Sequence, residues 1–242
     1  MYTQQDFKEY LFIDIETVAD KRELSDLDDR MAALWTIKAD WQRANESDMK
    51  DKSDEEIYEI AAGWFPEFGR VVCISIGQIQ FNEIGEPEVS KIKSFYGDDE
   101  SELLKEFNGT MQAIFNKNPN VKLVGHNIKR FDLPWIVKRS LINSLKVPYQ
   151  FHFQKQKPWE NCLLDTYEIW KFGGVNSTSL DLICAALGVP SPKDEVSNTE
   201  VSERYWNGEL EKIKDYCEGD VEATMNVMLR IAGMTLLETR PF

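Results

Sequence analysis

The chain lacks the features that would tie it to an oxidising compartment or a membrane. Its four cysteines, Cys73, Cys162, Cys184 and Cys217, are scattered, with no CxxC pair. That spacing argues against a zinc site or a disulfide framework and for reduced, mostly buried thiols. No apolar run approaches the length of a membrane span. The first nine residues, Met1 to Glu9, are polar and lack the apolar core of a signal peptide. The expected location is therefore the cytoplasm, with no membrane partner. Internal repeats, low-complexity tracts and long linkers are also missing. Positive charge is scarce: 28 Lys and Arg stand against 42 Asp and Glu, a net charge of −14. Taken alone, that balance speaks against a nucleic-acid partner, because phosphate binding needs local positive charge.

The distribution of charge changes this reading. Residues 20–60 carry 13 acids and 7 bases, whereas residues 121–160 carry 8 bases and 2 acids. One basic segment on an acidic chain is compatible with a local polyanion site, or with lysines that merely solvate helix faces. Hydrophobic content of 42% and charged content of 29% are ordinary for a globular protein. The length of 242 residues suits one large domain or two small ones, and a single domain over 1–242 is expected.

The stretch Tyr10-Leu-Phe-Ile-Asp-Ile-Glu-Thr17 reads as a hydrophobic strand. Alternation puts Leu11, Ile13 and Ile15 on one face and Phe12, Asp14 and Glu16 on the other. Two adjacent carboxylates on a buried strand need compensation, and a hard divalent cation is the usual form of it. The alternative is an edge strand with a solvated outer face. Residues 19–66 read as a mostly helical, acidic insertion, with a capping box at Ser53-Asp-Glu-Glu56. Its tryptophans Trp35, Trp41 and Trp64 pack on the core or on a substrate. Arg70–Phe81 and Ser90–Tyr96 read as strands either side of a turn at Gly85–Pro87, completing an antiparallel meander of three with the first strand. A helix over Asp98–Asn118, with Asp98 as N-cap, precedes a short strand Val121–Val124. Phe131–Leu145 reads as a helix with Pro134 in its first turn. Cys162–Thr166 ends another strand, and Thr178-Ser-Leu-Asp181 opens a helix that Gly188 stops. Val201–Gly233 reads as helical. Strands first, then strands alternating with helices, indicate an α/β fold with a mixed sheet.

Three further sites bear on Asp14 and Glu16. In Gly125-His-Asn-Ile-Lys-Arg-Phe-Asp132 a strand gives way to a helix, and Asp132 falls in the first helical turn, which tolerates anions. Asn127 could cap that helix or position a ligand. In Tyr216-Cys-Glu-Gly-Asp220, Tyr216 and Asp220 are four apart and share a helix face. Asp165 and Asp181 are acidic as well, but a helix cap accounts for Asp181.

These motifs resemble the DEDD superfamily of 3′–5′ exonucleases, which have a ribonuclease H-like fold. Asp14 and Glu16 match the Asp-x-Glu motif. Asn127, Phe131 and Asp132 match the second motif, and Tyr216 with Asp220 matches the tyrosine form of the third. The histidine form needs a His where this chain has Asp215, and the two histidines, His126 and His152, lie far upstream. Lys157-Pro-Trp-Glu160, Leu180-Asp-Leu182 and Leu187-Gly-Val-Pro-Ser-Pro-Lys193 are similar to stand-alone bacterial proteins related to the proofreading domain of family B DNA polymerases. No polymerase domain is expected in 242 residues, and the acidic insertion departs from the minimal fold.

The resemblance implies a three-layer ribonuclease H-like fold. It also implies a Mg²⁺- or Mn²⁺-dependent 3′–5′ exonuclease using two ions roughly 3.5–4 Å apart. Asp14 would bridge both ions, Glu16 and Asp220 would complete one, and Asp132 would contact the other. Tyr216, with a phenol pKa of about 10, suits orientation of the attacking water better than proton abstraction. Asn127, Lys129, Arg130 and Lys157 are candidates for holding the 3′ end of single-stranded DNA, and Phe131 and Trp159 for stacking or core packing. Replication or repair proteins are expected partners in trans, and oligomeric state stays open. Three alternatives remain: an exoribonuclease acting on RNA or short oligoribonucleotides, a ribonuclease H-like endonuclease, and a non-catalytic nucleic-acid-binding protein.

Overall fold

A computed structural model describes residues 2–153, 157, 161–175, 177–191 and 198–238. In chain order the elements are α1 (Gln4–Phe7), β1 (Tyr10–Ala19), α2 (Asp29–Asn45), α3 (Asp54–Ala61), β2 (Gly69–Phe81), β3 (Pro87–Tyr96), α4 (Glu100–Lys117), β4 (Lys122–Gly125), α5 (Asp132–Ile142), β5 (Leu163–Asp165), α6 (Thr166–Lys171), α7 (Leu180–Leu187), α8 (Asn198–Trp206) and α9 (Leu210–Ala232). Among the described residues the sheet has five strands in the order β3-β2-β1-β4-β5. The β3-β2-β1 meander is antiparallel, and β4 and β5 run parallel to β1. The sheet is therefore mixed, as expected.

The opening strand is central, which overturns the edge-strand alternative. Its two faces sort as the alternation requires. Leu11, Ile13 and Ile15 join Ile74, Ile76 and Phe95 against Leu104, Phe107 and Met111 of α4 and Leu133 and Ile136 of α5. Phe12 packs on the opposite face with Val221, Met225 and Met228 of α9. Helices thus cover both sides, making three layers with the core divided between them. α9 comes close to the sheet at Gly77, where an added Cβ would lie 2.5 Å from Met225 Cε and 3.0 Å from Val221 Cγ1. The missing side chain lets the helix settle onto β2.

The insertion is helical, as its composition suggested. Ser53 and Glu56 form the reciprocal capping box that opens α3. Trp35 is fully buried among Tyr58, Ala61 and Phe68, and its indole N–H donates to the Asp54 carbonyl at 3.0 Å. All four cysteines are buried and reduced.

Several boundaries move: β3 starts at Pro87 rather than Ser90, and β4 runs one residue later than expected. The N-cap of α4 is Asp99, not Asp98: its carboxylate accepts the Glu102 N–H at 3.0 Å, three residues on. α5 ends at Ile142, with Ser144 left-handed at φ 57. The C-terminal helical stretch breaks in two at Gly208, whose φ of 77 suits glycine, so α8 and α9 are separate. No helix among the described residues is long and apolar enough to cross a membrane.

Candidate active site

Asp14 and Glu16 leave the sheet on the α9 side, opposite Ser75 and Cys73 of β2. The register shifts between Glu16 and Thr17, so a bulge follows the second acid directly. β4 pairs with β1 only as far as Phe12. Beyond that point this edge of β1 has no strand partner among the described residues, and the Asp132 carboxylate takes up the Ile15 N–H. Asp132 is the first residue of α5 and is 3% exposed. Tyr216 and Asp220 occupy one face of α9, also buried. Cys217 helps hold that helix against β1, its thiol 3.4 Å from the Asp14 carbonyl and 3.6 Å from the Asp14 carboxylate.

The neighbouring acids raise the carboxyls of Asp14 and Asp132. Burial raises the Asp14 carboxyl well above the usual range, and the negative charges of Asp220, Asp132 and Glu16 raise it further. Asp132 is pushed up to about 7, first by burial and then by Asp165 and Asp220, against backbone N–H groups that favour its ionised form. Burial also raises the Tyr216 phenol, helped by Asp220, Glu16 and Asp14, and the hydroxyl hydrogen-bonds to Asp220. Buried like charges of this kind are held only with compensation, and carboxylates are the donors that hard divalent cations take. One ligand atom each of Asp14, Glu16 and Cys217 lie within 4.8 Å of one another.

A cavity of about 560 Å³ opens onto this cluster. Asp14, Glu16, Asp132, Tyr216 and Asp220 all line it, together with Asn127, Arg130 and Phe131. Two of the proposed nucleic-acid contacts do not. The Lys129 ammonium pairs with Glu168 at 2.5 Å, and Lys157 is exposed away from the lining. Other bases of the same segment are engaged elsewhere. Lys138 pairs with Glu67 at 3.5 Å, and Arg139 is buried against Glu100. Only part of the basic segment therefore faces the cavity. Trp159, Glu160, Pro192 and Lys193 lie outside the described residues.

Asp165 is a brace rather than a member of the cluster. It accepts the N–H groups of Asn127 at 2.8 Å, Lys129 at 3.2 Å and Tyr167 at 3.0 Å. These bonds hold Asn127 left-handed (φ 63) and cap α6, fixing the loop that delivers Asp132. His126, which the sequence reading gave no role, lines the cavity as a tie. Its Nδ1 is 3.1 Å from the Thr166 hydroxyl, and its Nε2 is 3.1 Å from the Thr178 carbonyl. Ser177, Thr178 and Ser179 complete that wall, and Glu59, Ile60, Gly63 and Trp64 of the insertion form another. Thr178 and Ser179 were legible as the start of a helix, but nothing in the sequence marked any of these residues as cavity lining.

Residues 65–238 match the family model described as a predicted 3′–5′ exonuclease related to the exonuclease domain of PolB. The chain belongs to this exonuclease family. The matched segment contains Asp132, Tyr216 and Asp220, whereas Asp14, Glu16 and most of the insertion precede it. Comparison with curated proteins gives no match. Among solved structures, the family B DNA polymerase of the archaeon Pyrobaculum calidifontis matches with a TM-score of 0.53 and 16% identity. The match covers 92% of this chain and 24% of the polymerase, so the chain spans about a quarter of that protein's length. E. coli Exonuclease I in complex with a dT13 oligonucleotide matches with a TM-score of 0.45 and 15% identity, over 92% of this chain and 40% of that one. The fold of this exonuclease-family chain is ribonuclease H-like.

Proposed function

We propose that this protein hydrolyses phosphodiester bonds at the 3′ end of single-stranded DNA, releasing nucleoside 5′-monophosphates, with two divalent ions held by Asp14, Glu16, Asp132 and Asp220. The observation that carries the reading is the convergence of four carboxylates and Tyr216, from β1, α5 and α9, on one cavity. The donor set fits Mg²⁺ or Mn²⁺: it is all carboxylate at the cavity surface, and burial with mutual repulsion leaves its charge in need of neutralising. When bound, such ions supply an activated water and charge stabilisation for in-line displacement at phosphorus.

The chain's own groups do the rest. Tyr216 keeps its proton, because burial and three carboxylates oppose ionisation. It therefore acts as a fixed hydrogen-bonding group beside Asp220 and orients the attacking water. Arg130 lines the same cavity as the acids and suits a phosphate of the strand. Phe131 packs against Trp135, with ring centroids 5.8 Å apart, which favours core packing for it over base stacking. The relation to the exonuclease domain of a DNA polymerase family favours DNA over RNA.

The test is product analysis on matched 3′- and 5′-labelled single strands, DNA and RNA, with Mn²⁺ or Mg²⁺. Mononucleotides should leave from the 3′ end of the DNA strand in an ion-dependent way. Release from the 5′ end, cutting of a circular strand, or no hydrolysis with either ion would each defeat the proposal. Faster turnover of the RNA strand would reassign the substrate.

A further inference from the structure

We infer that the insertion between β1 and β2 supplies the base-binding face of the cavity, with the Trp64 indole stacking on the terminal nucleobase; this rests on the exonuclease reading above. The insertion's three tryptophans have different surroundings. Trp35 is the centre of the insertion's own core, in edge contact with Tyr58 and Phe68. Trp41 is 53% exposed on α2, with the Lys38 ammonium 5.6 Å from its ring. Trp64 is 40% exposed, stands outside the apolar cluster of the insertion, and lines the same cavity as the four acids. A large aromatic left half-open beside a catalytic cluster forgoes the burial that the rest of the insertion achieves.

Its position is fixed by the strand that carries the first two acids. Trp64 ends a short 3₁₀ turn, Ala62–Trp64, laid across the bulge of β1. Thr17, the residue after Glu16, donates its hydroxyl to the Gly63 carbonyl at 2.7 Å. A Cβ on Gly63 would stand 3.3 Å from the backbone of Val18, so the turn lies nearly in contact with the strand. Trp64 is thus held a short way from the acids by backbone contacts rather than by a mobile loop.

Charge decides which part of a nucleotide meets this wall. Glu59 lines the cavity beside Trp64 and Ile60, and the insertion is acidic overall, which disfavours a phosphate there. Arg130, from the β4–α5 connection, is a lining cation suited to the phosphate. The uncharged, flat base is left to face the indole. Stacking of this kind does not discriminate among bases, since each has a π-face. The cavity would require a base without reading its identity. The family match begins at residue 65, so the turn that presents Trp64 lies before it.

The experiment compares hydrolysis of strands ending in a normal 3′ nucleotide with strands ending in an abasic sugar, for the wild type, Trp64→Ala and Trp64→Phe. The wild type should lose roughly 5- to 150-fold in kcat/KM on the abasic end. Trp64→Ala should lose a similar factor on the normal end and show little further loss on the abasic one, while Trp64→Phe should recover most of the base dependence. Trp64 lies outside the insertion core, so the melting temperatures of the variants should match the wild type. Equal base-to-abasic ratios in the wild type and Trp64→Ala would overturn the inference alone. Absence of hydrolysis by the wild type on every strand would remove the exonuclease reading and this inference with it.

Discussion

Arg139 donates to both carboxylate oxygens of Glu100, from Nε at 2.9 Å and from Nη2 at 2.5 Å, with both side chains buried. Glu100 also accepts the Val71 N–H at 2.7 Å, and Arg139 Nη1 donates to the Pro66 carbonyl at 2.9 Å. One ion pair therefore ties α4, α5, β2 and the end of the insertion together behind the cavity. Breaking a buried pair leaves an uncompensated charge, which costs about 3–5 kcal/mol. Glu100→Gln or Arg139→Met alone should lower the unfolding free energy by about that amount in urea melts. A double replacement by apolar residues should regain much of it. A loss below about 1 kcal/mol for either single change would mean that the pair behaves as a solvated one.

The four acids should oppose folding until ions bind. Asp14 is raised first by burial and then by Asp220, Asp132 and Glu16. Asp14→Asn removes one of those charges while keeping the shape. Exonuclease activity should fall to background. The ion-free protein should gain about 1 kcal/mol or more, read as an increase of roughly 2–4 °C in Tm. An ion-free variant less stable than the wild type would show that the cluster is not repulsive.

The same cluster sets a pH dependence. Asp132 has a carboxyl pushed up to about 7 in the fold, above its unfolded value near 4. Between those values the folded chain holds the proton that the unfolded chain has released, so stability falls as pH rises. The penalty is absent below the unfolded value and complete above the folded one. Stability of the ion-free wild type minus that of Asp132→Asn should therefore decline from about pH 4 to about pH 7 and level off beyond. Mn²⁺ binds the ionised form, so its stabilising effect should be larger at about pH 7.5 than at about pH 5.5. A difference that is flat with pH would place the titration on another group.

The sequence made the strand alternation around Asp14 and Glu16 legible, as it did the i, i+4 pairing of Tyr216 and Asp220, because both patterns are local. The roles of the bases were not legible. Lys129 read as a candidate for holding the 3′ end and Arg139 as one base of the positive segment, yet their partners Glu168 and Glu100 are each 39 residues away in sequence. His126 reaches Thr178 across 52 residues, a tertiary contact with no local pattern in the sequence. Asp165 was legible only as one more acid, because the three backbone N–H groups that make it a brace come together through the fold. The break at Gly208 was legible in the turn dipeptide Asn207-Gly208 but was passed over within a longer helical stretch, and the shift from Asp98 to Asp99 reflects two adjacent aspartates equally suited to cap.

Tyr216 lies in the cluster of Val18, Val72, Val201 and Tyr205, with its hydroxyl toward Asp220. Tyr216→Phe keeps the ring and removes only the hydroxyl, so packing of α9 on the sheet should survive and Tm should change little. If the hydroxyl orients the attacking water, kcat should fall about 10- to 100-fold, as misplacement of a reacting group does. KM and the Mn²⁺ concentration at half-activity should stay as in the wild type, because the phenol contributes to neither. The phenol is held above its ordinary pKa, first by burial and then by the carboxylates beside it. It therefore stays protonated across the working range, and the alkaline limb of the pH–rate profile should not move in Tyr216→Phe. A shifted limb would make Tyr216 a proton acceptor, and an unchanged kcat would take it out of the reaction.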